Sequence, residues 1–243
     1  MLFSAVEGVV WVRHPEGAAA QESLDIDEGL LASHIPSASL RVNAPVVSVG
    51  FNQDAAAEVD LALASELGIP VVRRRTGGGA VYRDGGCVSW AFTAPLGNPE
   101  DAVEIVRECV ADLGVDLVRT GRNDLFWNGR KVSGFAWTRQ DDWMLVHGSL
   151  LFSTDLDLMA RLLDCGKAKY RGTAIASVRQ RVANLQDALP GLDVEGFRQA
   201  LETGIARRVA PSDVADAEAP GGILLLASRR SESRFQHDER SGL

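Results

Sequence analysis

Residues 73–84 read RRRTGGGAVYRD. No Gly-Lys-Ser/Thr follows the glycines, so this is not a P-loop. Nor is it the dinucleotide fingerprint, because the glycines are contiguous and stand between two strand-like runs, at residues 71–75 and 87–93. Three glycines in a row let the backbone approach a ligand closely and turn amide N–H groups toward an anion, while Arg73, Arg74 and Arg75 supply charge-assisted donors suited to phosphate. A glycine-rich hairpin connection beside a solvated arginine run accounts for the same tripeptide equally well.

Outward from this loop, helical and strand periods alternate without a strict βαβα order. Leu24, Ile26, Leu30 and Leu31 mark a helix over 18–34, and Val46, Val47 and Val49 a buried strand over 44–51. Asp54 is placed to cap one helix running to Leu67, which Gly68 ends; another fits 101–113 before Gly114. Further strands are expected at 117–120, 131–138 and 143–152, with Asn128-Gly129 suiting a hairpin. Thr154 and Asp157 resemble a capping box opening a helix to Leu163, and a last helix is expected over 194–209. The order predicts an α+β domain with a mixed, largely antiparallel sheet flanked by helices. Residues 1–210 read as one catalytic-sized domain, and 211–243 as a short appendage that is part of it or frayed.

Composition narrows the function. The 243 residues carry a net charge of −8, and of 25 cationic side chains only Lys131, Lys167 and Lys169 are lysines. With no block of basic residues, an affinity dominated by nucleic-acid phosphates is not expected. Cys87, Cys109 and Cys165 form neither a CxxC pair nor a zinc-type cluster and suit a reducing compartment. Residues 1–12 lack the basic leader of a signal peptide, and no run approaches the ~20 apolar residues of a membrane helix. The expected location is cytoplasmic, with no membrane partner.

Three further runs can carry chemistry. In TGRNDL (120–125) and GRKVSG (129–134), Asn123 and Asp124 can orient an amine, hydroxyl or metal, and a regular strand projects Lys131 and Ser133 from one face. A Lys ammonium in a cleft can bridge a carboxylate and a phosphate, although an edge lysine beside a tight hairpin is the commoner use. HGSLLF (147–152) places His147 on a strand, as an acid/base, a donor, or a ring satisfied by neighbouring backbone. SVRQRVANL (177–185) aligns Arg179 and Arg181 on one face, which a solvated surface also explains.

In this order the four runs closely resemble the catalytic domain of lipoate–protein ligases. The resemblance covers about residues 24–190 and is sharpest at RRRTGGGAVY, GRNDLFWNGRKVSG, HGSLLF and SVRQRVANL, with weaker matches at DEGLL (27–31) and VVSVGFNQ (46–53). It implies a fold of the biotin/lipoate protein ligase catalytic-domain type. The activity it implies joins the lipoate carboxylate to ATP, giving lipoyl-AMP, and passes the acyl group to a lysine of a lipoyl-domain acceptor protein. Lys131 is then the catalytic group, neutralising carboxylate and α-phosphate. Arg74 and the backbone of Gly77, Gly78, Gly79, Ala80, Val81 and Tyr82 hold lipoate and nucleotide, with Thr76 donating locally. Asn123 and Asp124 orient the nucleotide or Mg²⁺, Asp124 being the metal residue, and Ser133, Gly134 and His147 complete the binding site.

The chain departs from the family pattern at Arg83, where His is usual, at Cys87, where Asn is usual, and at Phe135, where a small residue is common. These positions border the glycine loop and the lysine strand and bear on the acyl pocket. Too few residues follow Pro190 for the C-terminal accessory domain of two-domain ligases, so the resemblance implies a form lacking it, with a possible separate accessory subunit. Two alternatives remain. One is a cysteine-dependent octanoyl or lipoyl transferase using Cys87 or Cys165. The other is a non-catalytic module that binds an acyl group or carrier domain.

Overall fold

The structure is a computed structural model that describes residues 6–15, 18–121, 123–163, 181–218 and 225–229. Strand β1 (Val10–Arg13) leads into α1 (Ala20–Ala32), whose buried face carries Leu24, Ile26, Leu30 and Leu31 at helical spacing, together with Asp27. Strands β2 (Ser37–Val42) and β3 (Val46–Val49) follow. The single helix expected over 54–67 is two. Asp54 accepts from the Ala56 N–H to open α2 (Ala55–Glu58), the chain becomes extended at the buried Val59, and Asp60 accepts from the Leu63 N–H to open α3 (Leu61–Glu66). A second aspartate offers the backbone a cap in place of a continued helix.

Strands β4 (Val71–Arg73) and β5 (Val81–Arg83) flank the glycine loop, and β6 (Cys87–Pro95) leads to α4 (Glu100–Ala111). The meander β7 (Val118–Thr120), β8 (Asp124–Trp127), β9 (Arg130–Gln140) and β10 (Trp143–Leu151) comes next. In α5 (Leu156–Leu162) the cap is Asp155 rather than the expected Thr154: its carboxylate accepts from the N–H groups of Asp157 and Leu158, while Thr154 is buried. Helix α6 (Val194–Val209), capped by Asp193, precedes β11 (Asp213–Glu218) and β12 (Leu225–Arg229). No helix among the described residues is long and apolar enough to cross a membrane.

The strands form a nine-stranded sheet, β12-β11-β1-β2-β6-β10-β9-β8-β7, and a three-stranded sheet, β4-β3-β5. Among the named strands only β1–β11, β1–β2 and β3–β4 pair in parallel, so the sheet is mixed and largely antiparallel, as expected. One face of the large sheet is apolar. Val88, Trp90 and Phe92 of β6 and Met144, Val146 and Leu150 of β10 pack there with residues of α4 and α6. The opposite face meets α1 through Ala91 and Leu145, and beyond α1 it fronts the small sheet, which packs on α2, α3 and α5 around Val47, Val49, Tyr82 and Leu162.

The apolar face is filled to contact. Gly148 lies directly opposite the fully buried Trp90, and a Cβ at Gly148 would overlap the indole and stand 2.8 Å from the Gly134 carbonyl oxygen. Gly148→Ala is therefore expected to lower stability by about 1–3 kcal/mol, read as a shifted denaturant midpoint at unchanged slope.

Candidate active site

The loop that joins β4 to β5 is held by one side chain. Arg74 donates through Nη1 to the Ser48 carbonyl (2.9 Å) and hydroxyl (3.2 Å), and through Nη2 to the carbonyls of Gly77 (2.8 Å) and Gly79 (2.7 Å). Gly78 takes a positive φ of 91°, and its carbonyl oxygen sits where a Cβ on Gly50 would be. The loop is tied across to the large sheet by a 2.7 Å hydrogen bond shared by the Thr76 hydroxyl and His147 Nε2. Between loop and sheet lies a cavity of about 130 Å³.

Its floor depends on a β-bulge. On β9, Ser133 pairs with Leu125 and Lys131 pairs with Phe126, so Val132 is the extra residue and joins the apolar core. A regular strand would put Lys131 and Ser133 on one face. The bulge separates them, as bulges beside functional sites re-aim side chains. Ser133 pairs with Leu150 on the core side, is buried, and its Oγ has no hydrogen-bond partner in the structure. Lys131 joins the face of Gly134 and Asp124, with its Nζ 2.7 Å from Asp124 Oδ1 and both side chains 35% exposed. The end of the fourth run is bound to the same spot, since Ala183 N–H donates to the Lys131 carbonyl (3.0 Å).

Of the residues singled out in the sequence, Lys131, Asn123, Asp124 and Gly134 line the cavity from the sheet. Arg74, Gly78, Gly79, Ala80 and Val81 line it from the loop side, and His147 from the floor. Thr76, Gly77, Tyr82 and Ser133 do not line it. Tyr82 points into the small sheet's core, where burial pushes its phenol up in pKa. The two flanking arginines of the loop are exposed and engaged by protein groups: Arg73 donates to the carbonyls of Gly50, Phe51 and Gln53, and Arg75 faces Glu28 at 3.8 Å. Cys165, Lys167, Lys169 and Arg179 lie outside the described residues.

The lining residues not foreseen as ligand contacts include two buried arginines, Arg41 and Arg83. Arg41 is paired with Asp27 through two hydrogen bonds, 3.2 and 2.6 Å, and contacts His14 at 3.3 Å. Burial alone would raise the Asp27 carboxyl, but Arg41 and His14 hold it well below the usual range. The signal for this pair was present: Asp27 falls on the apolar face of α1, where an unpaired carboxylate is not tolerated. Burial lowers both Arg74 and Arg83 to about 10, still charged at neutral pH. Among the described residues no group of three or more His, Cys, Asp or Glu is placed to hold a metal.

Known proteins are similar to this chain in sequence and in fold. The family model for the lipoyl protein ligase A/B catalytic domain matches residues 19–206. Lipoate–protein ligase 1 of Staphylococcus aureus is 37% identical over 166 residues, which is 66% of this chain and 51% of that protein. The chain spans about half the length of the curated relatives it matches. In structure it is similar to a bipartite lipoate protein ligase from Thermoplasma acidophilum described with its E2 lipoyl domain (TM-score 0.77, 28% identity, 85% of each chain). It is similar also to a lipoate-protein ligase A bound with ATP (TM-score 0.73, 25% identity, 85% of this chain and 87% of that one).

The buried His147 sets a pH dependence. Burial, with the nearby arginines, lowers it from 6.5 to about 3. The unfolded chain thus takes up this proton first, so its contribution to stability is complete above pH 6.5 and is lost as pH falls toward 3. Between pH 6.5 and about 4.5, above the carboxylate range, wild-type stability is expected to fall more steeply than that of His147→Gln, measured by urea denaturation at each pH.

Proposed function

The chain belongs to the lipoyl protein ligase A/B catalytic-domain family, and on that premise we propose that it carries the active site of an ATP-dependent lipoate–protein ligase. The observation that carries this reading is the bulge at Val132, which turns the Lys131 ammonium out of the core and onto the cavity floor beside Asp124. A compact ammonium there meets the two anions that must come together, the acid's carboxylate and the α-phosphate. The carboxylate oxygen attacks the α-phosphorus, the bond to the β-phosphate bridging oxygen breaks, and pyrophosphate leaves with the electron pair. Lys131 stabilises the charge at the phosphoryl centre as it develops.

The acceptor lysine, as its neutral amine, then attacks the acyl carbon; AMP leaves, and the amide nitrogen sheds its proton. No nucleophile of this chain is required. The loop backbone from Gly78 to Val81 flanks the acyl-adenylate, and Arg74 keeps it in shape from behind. Asp124, which has a second oxygen besides the one on Lys131, would hold the Mg²⁺ that accompanies ATP, with Asn123 alongside, and the ion would supply neutralisation of phosphate charge there. A lipoyl domain is the natural acceptor, and a separate accessory subunit fits the bipartite character of the T. acidophilum relative. A cytoplasmic setting suits both the ATP requirement and the free thiols of Cys87 and Cys109.

The thioester route finds no support in Cys87 or Cys109. Both are buried, and burial pushes their thiols up to about 12 and about 11, the opposite of an activated nucleophile. Mass spectrometry of a lipoyl domain incubated with the chain and lipoate should show acyl transfer only with ATP and Mg²⁺; transfer without ATP would overturn the ligase reading. Lys131→Ala should slow lipoate-dependent pyrophosphate release roughly 10²–10³-fold. Near-normal release would remove Lys131 from its role.

A further inference from the structure

A row of directly paired residues runs along the cavity floor and, at Ser89, beneath it: Arg41 on β2, Ser89 on β6, Ser149 on β10, Gly134 on β9 and Asp124 on β8. Paired residues project from the same face, and adjacent strands stand about 4.8 Å apart. The Lys131 ammonium lies over Gly134, 3.3 Å from where a Cβ would stand. Ser89 is therefore two strands further in, about 10 Å along the row. Exposure falls in the same direction, from 35% at Lys131 and Asp124 to 9% at Ser149 and 0% at Ser89.

At this inner end stands Arg83. Its side chain comes from β5 on the small sheet and lines the cavity, and the residue is only 7% exposed. Nη1 donates to the Ser89 hydroxyl over a long 3.4 Å, the Ser89 hydroxyl in turn donates to Asn43 Oδ1 at 2.7 Å, and Arg83 Nε has no partner in the structure. The other two buried arginines of the cavity are answered by protein: Arg41 by the Asp27 carboxylate, Arg74 by the carbonyls of Ser48, Gly77 and Gly79. Among the described residues no carboxylate lies within ion-pair distance of Arg83. A buried guanidinium with one donor unpaired and another held only at 3.4 Å is costly unless something supplies acceptors.

We propose that Arg83 is a specificity-determining residue that reads the far end of the acyl substrate, and that this site favours carboxylic acids of medium length whose distal end carries a hydrogen-bond acceptor, most strongly an anionic oxygen. The assignment of near and far ends rests on the ligase reading, in which Lys131 takes the carboxylate that is activated. A distal carboxylate or carbonyl completes Arg83 with charge-assisted bonds. A dithiolane sulfur, being a weak acceptor, completes it only in part. A methyl end desolvates the guanidinium and returns nothing.

The test is calorimetric titration of the full chain, without ATP, with octanoate, lipoate and octanedioate. Octanedioate is expected to bind about tenfold or more tightly than octanoate, with lipoate between them. In Arg83→Met the octanedioate advantage disappears and octanoate binds at least as well as before; Arg83→Gln, folded by circular dichroism, serves if the Met variant does not fold. Equal affinities in the wild type, no binding of octanedioate, or a ratio unmoved by either variant overturns the assignment. Pyrophosphate release with ATP is then measured for each acid. Failure to release it with all three overturns the ligase reading while leaving the binding ratios intact, so the two failures are distinct.

Discussion

The cavity exists because one guanidinium organises a stretch of chain that has no side chains of its own. Gly77, Gly78 and Gly79 lose more conformational freedom on ordering than any other tripeptide, and their carbonyls converge where no secondary-structure partner is available. Arg74 supplies four donors in a rigid planar fork, two toward Ser48 and one each toward Gly77 and Gly79, so a single side chain fixes the loop to the small sheet. A lysine has neither the reach to both carbonyls nor the fixed geometry. Gly50 admits the Gly78 carbonyl, and the Thr76–His147 bond pins the loop to the large sheet. With His147 kept neutral by burial, that last tie adds no charge to the interior.

What could be read from the sequence follows what local pattern determines. Helices α1 and α4 carry their own apolar faces, and β3, β6 and β10 their own dense apolar runs, so each is legible without knowing its neighbours. Strand β2, by contrast, is SASLRV: Ala38 and Leu40 face the core, but Ser37, Ser39 and Arg41 face the other side, where Ser37 meets Thr93 and Arg41 meets Asp27. Those polar residues conceal a strand because their partners come from distant segments. Strand β1 likewise takes its partners from elsewhere, β2 on one side and β11, about two hundred residues later, on the other. The split of α2 from α3 was concealed by a helical composition continuous across Asp60.

At the site, the motif picked out Lys131, but strand periodicity misplaced its neighbour. Alternation cannot anticipate a bulge, since the extra residue is defined by the register of β8 and β9 and not by either strand alone. The consequence is concrete: one residue, Val132, decides that the lysine faces the cavity and the serine faces core. Arg83 was visible only as a departure from a family pattern. Its meaning needed Ser89, Asn43 and Asp27 in place, because an arginine paired by a carboxylate and one left unanswered look identical in sequence.

The charges of the cavity divide by depth, and the division separates structure from chemistry. The Arg41–Asp27 pair is almost wholly buried; opening it would strand two ions in a medium that cannot solvate them, so it is part of the scaffold. The Lys131–Asp124 pair, with a third of each side chain in water, is worth little as a stabilising contact. For that reason, on the proposed ligase reading, it can give way when a carboxylate and phosphates arrive, releasing the ammonium to them and leaving Asp124 to a cation. A deeper pair would bind the lysine too firmly to serve, and an isolated lysine would be free to swing away from the floor. The bulge sets Lys131 at the depth where neither happens: held by Asp124 over Gly134, yet close enough to solvent to exchange one anion for another.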